Sequence, residues 1–556
     1  MKMKLIATLV LVCGLLLLAV AYAAEAPILY VSPDGEYSVS AINVMKIGDD
    51  YYLFLPGNMN LAEMKIGFKG AEKVEINGKP LTGNEHANEL NEKNTLQFDD
   101  RKKIEFTVLT GSENLPVLYI LTESGNLDKI HENKENKEAG YLYMVNGDGN
   151  VEYDGTLEHM KMRGHASVSY GKKNYQIKLD KGTDLLGFGK TKKWVLTGNW
   201  LDKSFIRNQM TFDLAEYMGM PYTPERQQAE VYVNHEYLGL YLFMEKVEIQ
   251  ENRVAITDLE KATEELNEEK PENYPKATGT YKNGGKYRAY QIPNNPEDIT
   301  GGYLLEYEFE KGRYEKEPSG YTTGKNLHIV IKSPEFASME QAAYVAEFMQ
   351  GFENAIWADD GYDKETGKHY SEFVDMDSLV RKYMVNEFSQ NYDGNASSEY
   401  FFKPIDSESK VAYAGPIWDL DNSYANYARD DNKNTIMSFK TLYIGKASKN
   451  IYWWPNIYKH EDFQEAIRKE YGKLKKAAQI ILGQEKGTGK LTSLEEYEKA
   501  IEKSVEMNYV RYPNLKQNRG NAATGKNLSE NIQYIRNFIE IRLPYLEKAW
   551  GISEAE

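Results

Sequence analysis

The sequence predicts an α+β fold, because strand-like segments come first along the chain and helix-like segments follow them. From residue 27 to about residue 112, short β-rich runs are separated by turn residues. Beyond residue 338, longer segments carry apolar residues at helical spacing. The composition, 41% hydrophobic and 27% charged over 556 residues, is that of a globular protein with several domains.

A small all-β domain is predicted over residues 27–112. Its clearest strand patterns are the β-rich runs 51–55, 65–68, 74–79 and 104–108. Turn-forming residues separate these short runs, as in an immunoglobulin-like sandwich. The expected role of this domain is that of a spacer or presentation module.

A second domain is predicted over residues 115–548, and its first part reads as strands around one helix. The predicted strands are 116–122, 140–145, 151–154, 157–163, 175–179, 302–309 and 327–332, with a hairpin over 228–248. The helix is predicted over residues 205–218, and Gly219 and Pro221 end it. Residues 257–300 are charged and then rich in Pro, Asn and Gly, which predicts an insertion or a mobile loop.

The last part of this domain is predicted to be helical. The expected helices cover about residues 338–357, 376–390, 458–482, 493–508 and 528–548. Ser493 and Glu496 form a capping-box pattern at the start of the fourth of these helices.

Residues 1–23 have the pattern of a signal peptide. Lys2 and Lys4 give a basic start, residues 5–20 are apolar, and Ala21-Tyr22-Ala23 supplies the small-x-small cleavage pattern. The apolar run is shorter than the roughly 20 residues that a membrane span needs. The sequence therefore predicts a secreted or cell-surface protein with no membrane span in the mature chain.

The mature chain would be acidic and free of cysteine. Cys13 is the only cysteine and lies inside the predicted signal peptide, so the fold has no disulfide to rely on. The formal net charge is −17, and cleavage would remove two lysines and no acidic residue. This acidity argues against nucleic acid and anionic membranes as partners, and it fits a divalent cation or a basic protein.

Two aspartates stand two residues apart in the stretch Gly415-Pro416-Ile417-Trp418-Asp419-Leu420-Asp421-Asn422-Ser423-Tyr424. If this stretch is extended, both side chains point to the same face. Two like charges at that distance repel each other unless a cation lies between them. Mg²⁺, which is held by one or two carboxylates and substrate phosphates, would relieve the repulsion. The alternative is a polar strand end with solvated aspartates.

Other common catalytic patterns are missing. The chain has no second cysteine, no His-Glu-x-x-His zinc motif and no Gly-x-Ser-x-Gly nucleophile elbow. Residues 187–191 resemble the end of a phosphate-binding Walker A loop, but Asp184 stands where its first glycine belongs. We interpret that match as chance.

Several further segments are informative because of the order in which they occur along the chain. They are residues 160–167, 175–180, 194–196, 199–209, 237–247, 331–335, 390–395 and 400–403, followed by Trp418-Asp419-Leu420-Asp421. This succession resembles the CotH family, which is named for a spore-coat protein and regarded as a family of atypical, secreted protein kinases. The resemblance covers about residues 115–545, which is most of the chain.

One turn departs from the family pattern. The family usually has Arg-Gly-Asn-Ser-Thr where this chain has Arg163-Gly164-His165-Ala166-Ser167. If this turn contacts phosphate, the departure would alter nucleotide affinity or activity.

The resemblance implies an atypical protein-kinase-like core with a helical C-terminal part. Phosphoryl transfer needs a cation for the triphosphate, a carboxylate near the acceptor hydroxyl, and metal-binding carboxylates. The chain offers these groups in kinase order: Lys178, the helix over 205–218, Asp393, and then Asp419 and Asp421.

Each candidate has a predicted role on this basis. Lys178, on the polar side of its strand, would bind phosphate, and Asp393 would orient or deprotonate the acceptor hydroxyl. Asp419 and Asp421 would hold Mg²⁺ or Mn²⁺, with Asp419 favoured because Trp418 can fix its backbone. Asn395 would ligate the metal through its amide oxygen.

Four further side chains of the matching motifs receive supporting roles. Arg163 would neutralise phosphate and Asn208 would face the nucleotide. Glu245 would contact the adenosine or pair with Lys178. Arg207 is expected to brace acidic groups in the core.

The resemblance thus implies an ATP-dependent kinase that phosphorylates Ser or Thr of an exported or surface protein. The alternative is a surface or coat interaction protein that keeps a kinase-like scaffold without catalysis. Carbohydrate binding, which rests only on the abundance of Tyr and Trp, is a weaker third hypothesis.

Overall fold

The structure is a computed structural model that describes residues 26–282, 285–395, 397–426, 428–429, 435–436, 438–445, 452–517 and 525–552. The predicted signal peptide, residues 1–23, lies outside the described residues. The described chain is a mixture of strands and helices, which confirms the α+β class.

The strands are concentrated before residue 415. They are β1 Ile28–Ser32, β2 Ile42–Asn43, β3 Met45–Ile47, β4 Asp50–Leu55, β5 Lys65–Lys69, β6 Val74–Ile76, β7 Lys79–Pro80, β8 Lys93–Phe98, β9 Ile104–Thr110, β10 Val117–Thr122, β11 Glu138–Val145, β12 Val151–Arg163, β13 Asn174–Asp184, β14 Lys190–Thr197, β15 Arg226–Val233, β16 Glu236–Glu245, β17 Lys276–Thr280, β18 Lys286–Tyr290, β19 Tyr303–Glu308, β20 Gly320–Thr322, β21 His328–Ser333, β22 Ser397–Lys403, β23 Tyr413–Ala414, β24 Ala428–Arg429 and β25 Thr435–Ile436.

The longest helices follow residue 338. The helices are α1 Asp128–Glu132, α2 Arg207–Met218, α3 Leu259–Glu264, α4 Lys311–Tyr314, α5 Met339–Trp357, α6 Met376–Ser389, α7 Trp453–Tyr458, α8 Glu461–Ile481, α9 Leu494–Arg511 and α10 Leu528–Ala549. Within the described part of the chain, no helix is long and apolar enough to cross a membrane.

The chain divides into two compact units. Of the described residues, the smaller unit contains 26–126 together with 141–155 and 230–239, and the larger unit contains 127–140, 156–229 and those from 240 onward. The predicted boundary between residues 112 and 115 was drawn from composition alone and stays a prediction.

The N-terminal segment of the smaller unit is all β. Its strands form a three-stranded sheet, in the order β2-β1-β5, and a six-stranded sheet, in the order β3-β4-β9-β8-β6-β7. The predicted strand 74–79 is a hairpin instead, because Asn77 and Gly78 adopt left-handed backbone angles, with φ of 54° and 76°. Asn-Gly at such a position is typical of a tight hairpin turn. The immunoglobulin-like topology stays a prediction.

A closed barrel has the strand order β10-β11-β12-β13-β14-β16-β15. The two predicted strands 151–154 and 157–163 are one continuous strand, β12. On β13, Tyr175, Ile177 and Leu179 are buried, while the alternating residues, Lys178 among them, are only partly buried. This alternation confirms that Lys178 lies on the polar side of its strand.

A seven-stranded sheet in the larger unit has the order β17-β18-β20-β21-β19-β22-β23. Strands β17 and β18 come from residues 257–300, so the loop interpretation is wrong for residues 276–280 and 286–290. The Pro, Asn and Gly residues nearby hid an alternating strand pattern in which Tyr287 and Ala289 are buried. That residues 257–300 form an insertion stays a prediction.

The helices agree closely with the predicted ones. Helix α2 ends at Gly219, whose φ of 83° is left-handed, as the sequence predicted. Ser493 and Glu496 form the expected capping box of α9. The predicted helix 458–482 is shorter, and a separate helix, α7, precedes it.

Candidate active site

A cleft of about 1120 Å³ lies within the larger unit. One side of the cleft is lined by residues of β12, β13, β14 and the segment that follows β16. The other side is lined by residues of β19 and β21 and by the segments 392–398 and 418–422. Both motifs that contain the predicted aspartates therefore reach the same cleft.

Three aspartates of the cleft, Asp393, Asp419 and Asp421, interact electrostatically. Burial and the negative charge of Asp419 raise the pKa of Asp393 to about 7. Burial, followed by the charges of Asp419 and Asp393, raises the pKa of Asp421 well above its usual value. Asp419 lines the cleft and is exposed there. The cluster therefore holds three mutually repelling carboxyl groups.

The loop that carries two of these aspartates is not a strand. The residues around Asp419 have no strand assignment, and Asp419 has a left-handed φ of 60°. The expectation that an extended stretch aligns the two side chains is therefore wrong, although both reach the cleft. The loop conformation brings them there instead.

Helix α2 holds this loop in position. Asn208 accepts a hydrogen bond from the backbone N–H of Leu420 at 2.9 Å, and its amide donates to Asn199 Oδ1 at 2.9 Å. Asn208 is 4% exposed and lines the cleft. Its polar atoms thus position the backbone between the two aspartates, a role that the sequence did not predict.

Arg207, which does not line the cleft, holds the end of the same loop. Its Nη1 lies 2.5 Å from Asp202 Oδ1, and its Nε donates to the carbonyl of Ser423 at 3.0 Å. The side chains of Arg207 and Asp202 are fully buried. These contacts confirm that Arg207 braces an acidic group in the core.

Asp393 follows the end of α6, where Gln390 has a left-handed φ of 51°. Its carboxylate accepts a hydrogen bond from the amide of Asn422 at 3.4 Å. Asn422 is 8% exposed, and its Oδ1 has no hydrogen-bond partner among the described residues. An amide oxygen without a partner beside three carboxyl groups is a free ligand for a hard cation.

Asn395, the amide predicted for the metal, is not among the residues that line the cleft. Its Nδ2 donates to the carbonyls of Ile444 at 3.1 Å and Tyr443 at 3.4 Å, and its Oδ1, like that of Asn422, has no hydrogen-bond partner among the described residues. Its role as a metal ligand stays a prediction. Asn422 was not predicted from the sequence, although it directly follows Asp421 in the stretch from Gly415 to Tyr424.

Arg163 ends β12 at the edge of the cleft. Its guanidinium stacks over the ring of Trp418 at 5.0 Å, and its charge opposes the rise in the pKa of Asp419 that burial causes. The turn that follows needs Gly164, whose φ is 96° and whose position leaves no room for a Cβ beside Ser167 Oγ. Ser167 closes the turn by donating to the carbonyl of Arg163 at 3.0 Å. His165 and Ala166, which depart from the family pattern, are exposed and line the cleft.

Lys178 and Glu245 do not pair with each other, so that expectation is wrong. Lys178 lines the cleft, but its Nζ contacts Glu158 at 2.7 Å. Glu245 is fully buried and accepts from Arg253 at 3.3 Å, from Tyr222 at 3.0 Å and from the Glu225 N–H at 2.9 Å. Met244, the residue before Glu245 on β16, lines the cleft. Because side chains alternate along a strand, Glu245 points away from the cleft and toward this network.

The donor set fits a divalent cation that is shared with a phosphate ligand. Among the described residues, no three His, Cys, Asp or Glu side chains are arranged to hold a metal by themselves. Mg²⁺ commonly uses only one or two carboxylates and completes its shell with water and substrate phosphates. Asp419, Asp421 and the free Oδ1 of Asn422 supply oxygen ligands of that kind.

A family model described as CotH kinase protein matches residues 160–546 of the 556-residue chain. The chain belongs to the CotH kinase family. The matched region is more than half of the chain and contains every predicted site residue. A search of curated proteins found no match. Membership in the CotH family indicates a kinase-like function and the use of ATP with a divalent metal.

Proposed function

We propose that this protein is an exported CotH-type kinase that transfers the γ-phosphate of ATP to Ser or Thr of another exported or surface protein. The observation that carries the proposal is the meeting of Asp393, Asp419 and Asp421 in one cleft beside Arg163. Three repelling carboxyl groups next to cationic side chains are what a metal–triphosphate complex would neutralise.

Each residue takes a defined part in the transfer. Asp419 and Asp421, supported by Asn422, would hold the divalent cation, which would supply positive charge to shield the transferring phosphoryl group. Asp393 accepts the proton of the acceptor hydroxyl while that oxygen bonds to the γ-phosphorus. The bond between the γ-phosphorus and the bridging oxygen breaks, and ADP leaves with the bonding electron pair. Arg163 stabilises negative charge on the phosphates.

The remaining parts of the proposal rest on the sequence. The N-terminal pattern of residues 1–23 supports export, and the all-β segment after it supports an immunoglobulin-like presentation domain. The order of lysine strand, helix and aspartate loops supports a kinase-like core.

Phosphate transfer from labelled ATP to a generic acceptor such as casein, with and without Mn²⁺ or Mg²⁺, tests this function. We expect metal-dependent labelling by the wild type and none by Asp393→Ala or Asp419→Ala. Asp180→Asn is the matched control, because Asp180 is exposed on β13 and does not line the cleft. Normal transfer by both cleft variants would refute the proposal.

The second candidate is a non-catalytic interaction protein. The exposed His165 and Ala166 at the turn beside Arg163 favour it, because they stand where the family usually has Asn and Ser. This candidate predicts neither phosphate transfer nor a thermal shift that depends on ATP and Mg²⁺, and a clear shift would count against it.

A further inference from the structure

The side of the cleft formed by the barrel strands carries several lysines, which differ in how they are neutralised. Lys161 lies on β12, Lys178 on β13, Lys193 on β14, and Lys246 directly follows β16. The sequence pointed to Lys178 as the phosphate ligand. The structure allows that choice to be tested against the charges around each lysine.

Lys178 and Lys193 each have a carboxylate partner. They are directly opposite each other on neighbouring antiparallel strands, where two like charges destabilise a sheet. Lys178 contacts Glu158 at 2.7 Å, and Lys193 contacts Glu248 at 3.3 Å. Their charges are therefore offset within the free protein.

Lys161 has no such partner. Among the described residues, no carboxylate lies within ion-pair distance of its ammonium group. It stands two residues before Arg163 on β12, so both side chains emerge on the same face, toward the cleft. Burial, together with Lys137, Lys134 and Arg163, lowers the pKa of Lys161, and only Glu135 opposes this effect.

Lys246 competes for a carboxylate that is already in use. Glu248 lies 3.5 Å from Lys246, but it also contacts Lys193 and Arg253. Arg253 has Glu245 as its second partner, so these three cations share two carboxylates. Burial lowers the pKa of Lys246 to about 8, and Lys193, Arg163 and Lys332 contribute to this shift. One positive charge at this end of the cleft is left without an equivalent anion.

We propose that Lys161 and Lys246, rather than Lys178, bind the phosphates of the nucleotide, together with Arg163. This inference rests on the proposed function, because it assigns the polyphosphate ligands of the same cleft. The chain as a whole carries a net charge of −17, so uncompensated cations grouped on one side of a cleft are a local exception. A polyphosphate of high negative charge is the ligand class that such a group neutralises.

Binding measurements by titration calorimetry test the assignment with two probes, Mg²⁺–ATP and inorganic tripolyphosphate with Mg²⁺. We expect Lys161→Met and Lys246→Met each to weaken both probes by about 10- to 100-fold, the loss of one charge-assisted contact. Lys178→Met is the matched control, and its affinities should stay within about threefold of the wild type. Lys161→Arg and Lys246→Arg, which keep the charge, should retain most of the affinity.

The outcomes separate the two proposals. If the wild type binds both probes and only Lys178→Met loses affinity, the lysine assignment is wrong while the function survives. If Lys161→Met and Lys246→Met weaken ATP but not tripolyphosphate, the two lysines do not act on phosphate and the assignment also fails. If the wild type binds neither probe, the proposed function fails together with the assignment. Thermal unfolding of each variant shows whether a loss of affinity is a loss of folding.

Discussion

Two buried ion pairs and the charged groups that line the cleft differ in whether they have partners of opposite charge. Arg207 contacts Asp202, and Arg253 contacts Glu245, with all four side chains fully buried and none of them lining the cleft. In the cleft, Asp393, Asp419 and Asp421 repel one another, and Lys161 has no carboxylate partner in the described residues. Charges that build the fold are paired within the chain, whereas charges that await a ligand are not.

The largest expected effect is on phosphate transfer. Asp419→Asn should lower the rate by about 10³-fold or more, because a metal-binding and charge-organising carboxylate is lost. The same change should not lower Tm, since it removes one of three repelling charges. Initial rates with labelled ATP and thermal unfolding without nucleotide measure the two effects. A large drop in Tm would show that Asp419 belongs to the structural set of charges.

The second effect is on the free energy of unfolding, and it concerns the buried ion pair of Arg207 and Asp202. Asp202→Ala should lower the free energy of unfolding by about 3–5 kcal/mol, because Arg207 would stay buried without its partner. Urea unfolding measures this change. Lys261→Ala is the control, since Lys261 and Glu265 form an exposed pair at 3.9 Å, and it should cost no more than about 1 kcal/mol. Equal effects of the two changes would remove the contrast between the buried and exposed pairs.

The third effect is a fall in nucleotide affinity at alkaline pH, to which Lys246 should contribute. A lysine binds phosphate as the ammonium form, which is lost as pH rises through its pKa of about 8. Affinity for Mg²⁺–ATP should therefore be full near pH 7 and fall between about pH 8 and pH 9. Bound phosphate would stabilise the ammonium form and move the fall toward higher pH.

The control for this pH effect is Lys246→Met, whose affinity should be lower and should fall less with pH in this range, although Lys161, whose pKa is also lowered, remains. The other charges around Lys246, which are Glu248, Lys193, Arg163 and Lys332, are the same in both proteins. An identical pH profile for the wild type and Lys246→Met would exclude Lys246 as the group responsible.

The smallest expected effect is on the metal requirement, and it distinguishes Asn422 from Asn395. Asn422→Ala should raise the Mn²⁺ or Mg²⁺ concentration needed for half-maximal transfer by about tenfold, the size typical of a supporting metal contact. Asn395→Ala should leave this requirement unchanged, because Asn422 lines the cleft and Asn395 does not. A metal requirement that changes only in Asn395→Ala would restore the assignment made from the sequence.

Much of the fold could be predicted because local patterns decide it. A few adjacent residues determine each of three features: the alternating burial of β13, the left-handed Gly219 after α2, and the capping box of α9. Strands β17 and β18 were missed because the Pro, Asn and Gly residues near them are typical of a loop. What sets these strands apart is their pairing in the sheet, which is not local.

The site was predicted in part for the same reason. Asp393, Asp419, Asp421 and Arg163 could be found because they lie in recognisable motifs, and the structure brings all four to the cleft. The partners of a charged residue cannot be found in this way. That Glu158 pairs with Lys178, and that Glu248 is shared by several cations, depends on which strands are neighbours.

Thermal unfolding of the full chain with Mg²⁺ and ATP tests the central claim most directly, since a ligand that binds only the folded state raises Tm. The account predicts that Mg²⁺ and ATP together raise the Tm of the wild type, that either alone has a smaller effect, and that Asp419→Asn loses the shift. An unchanged wild-type Tm, or an equal shift in Asp419→Asn, would contradict the claim that the unpaired charges of the cleft bind a metal–nucleotide complex.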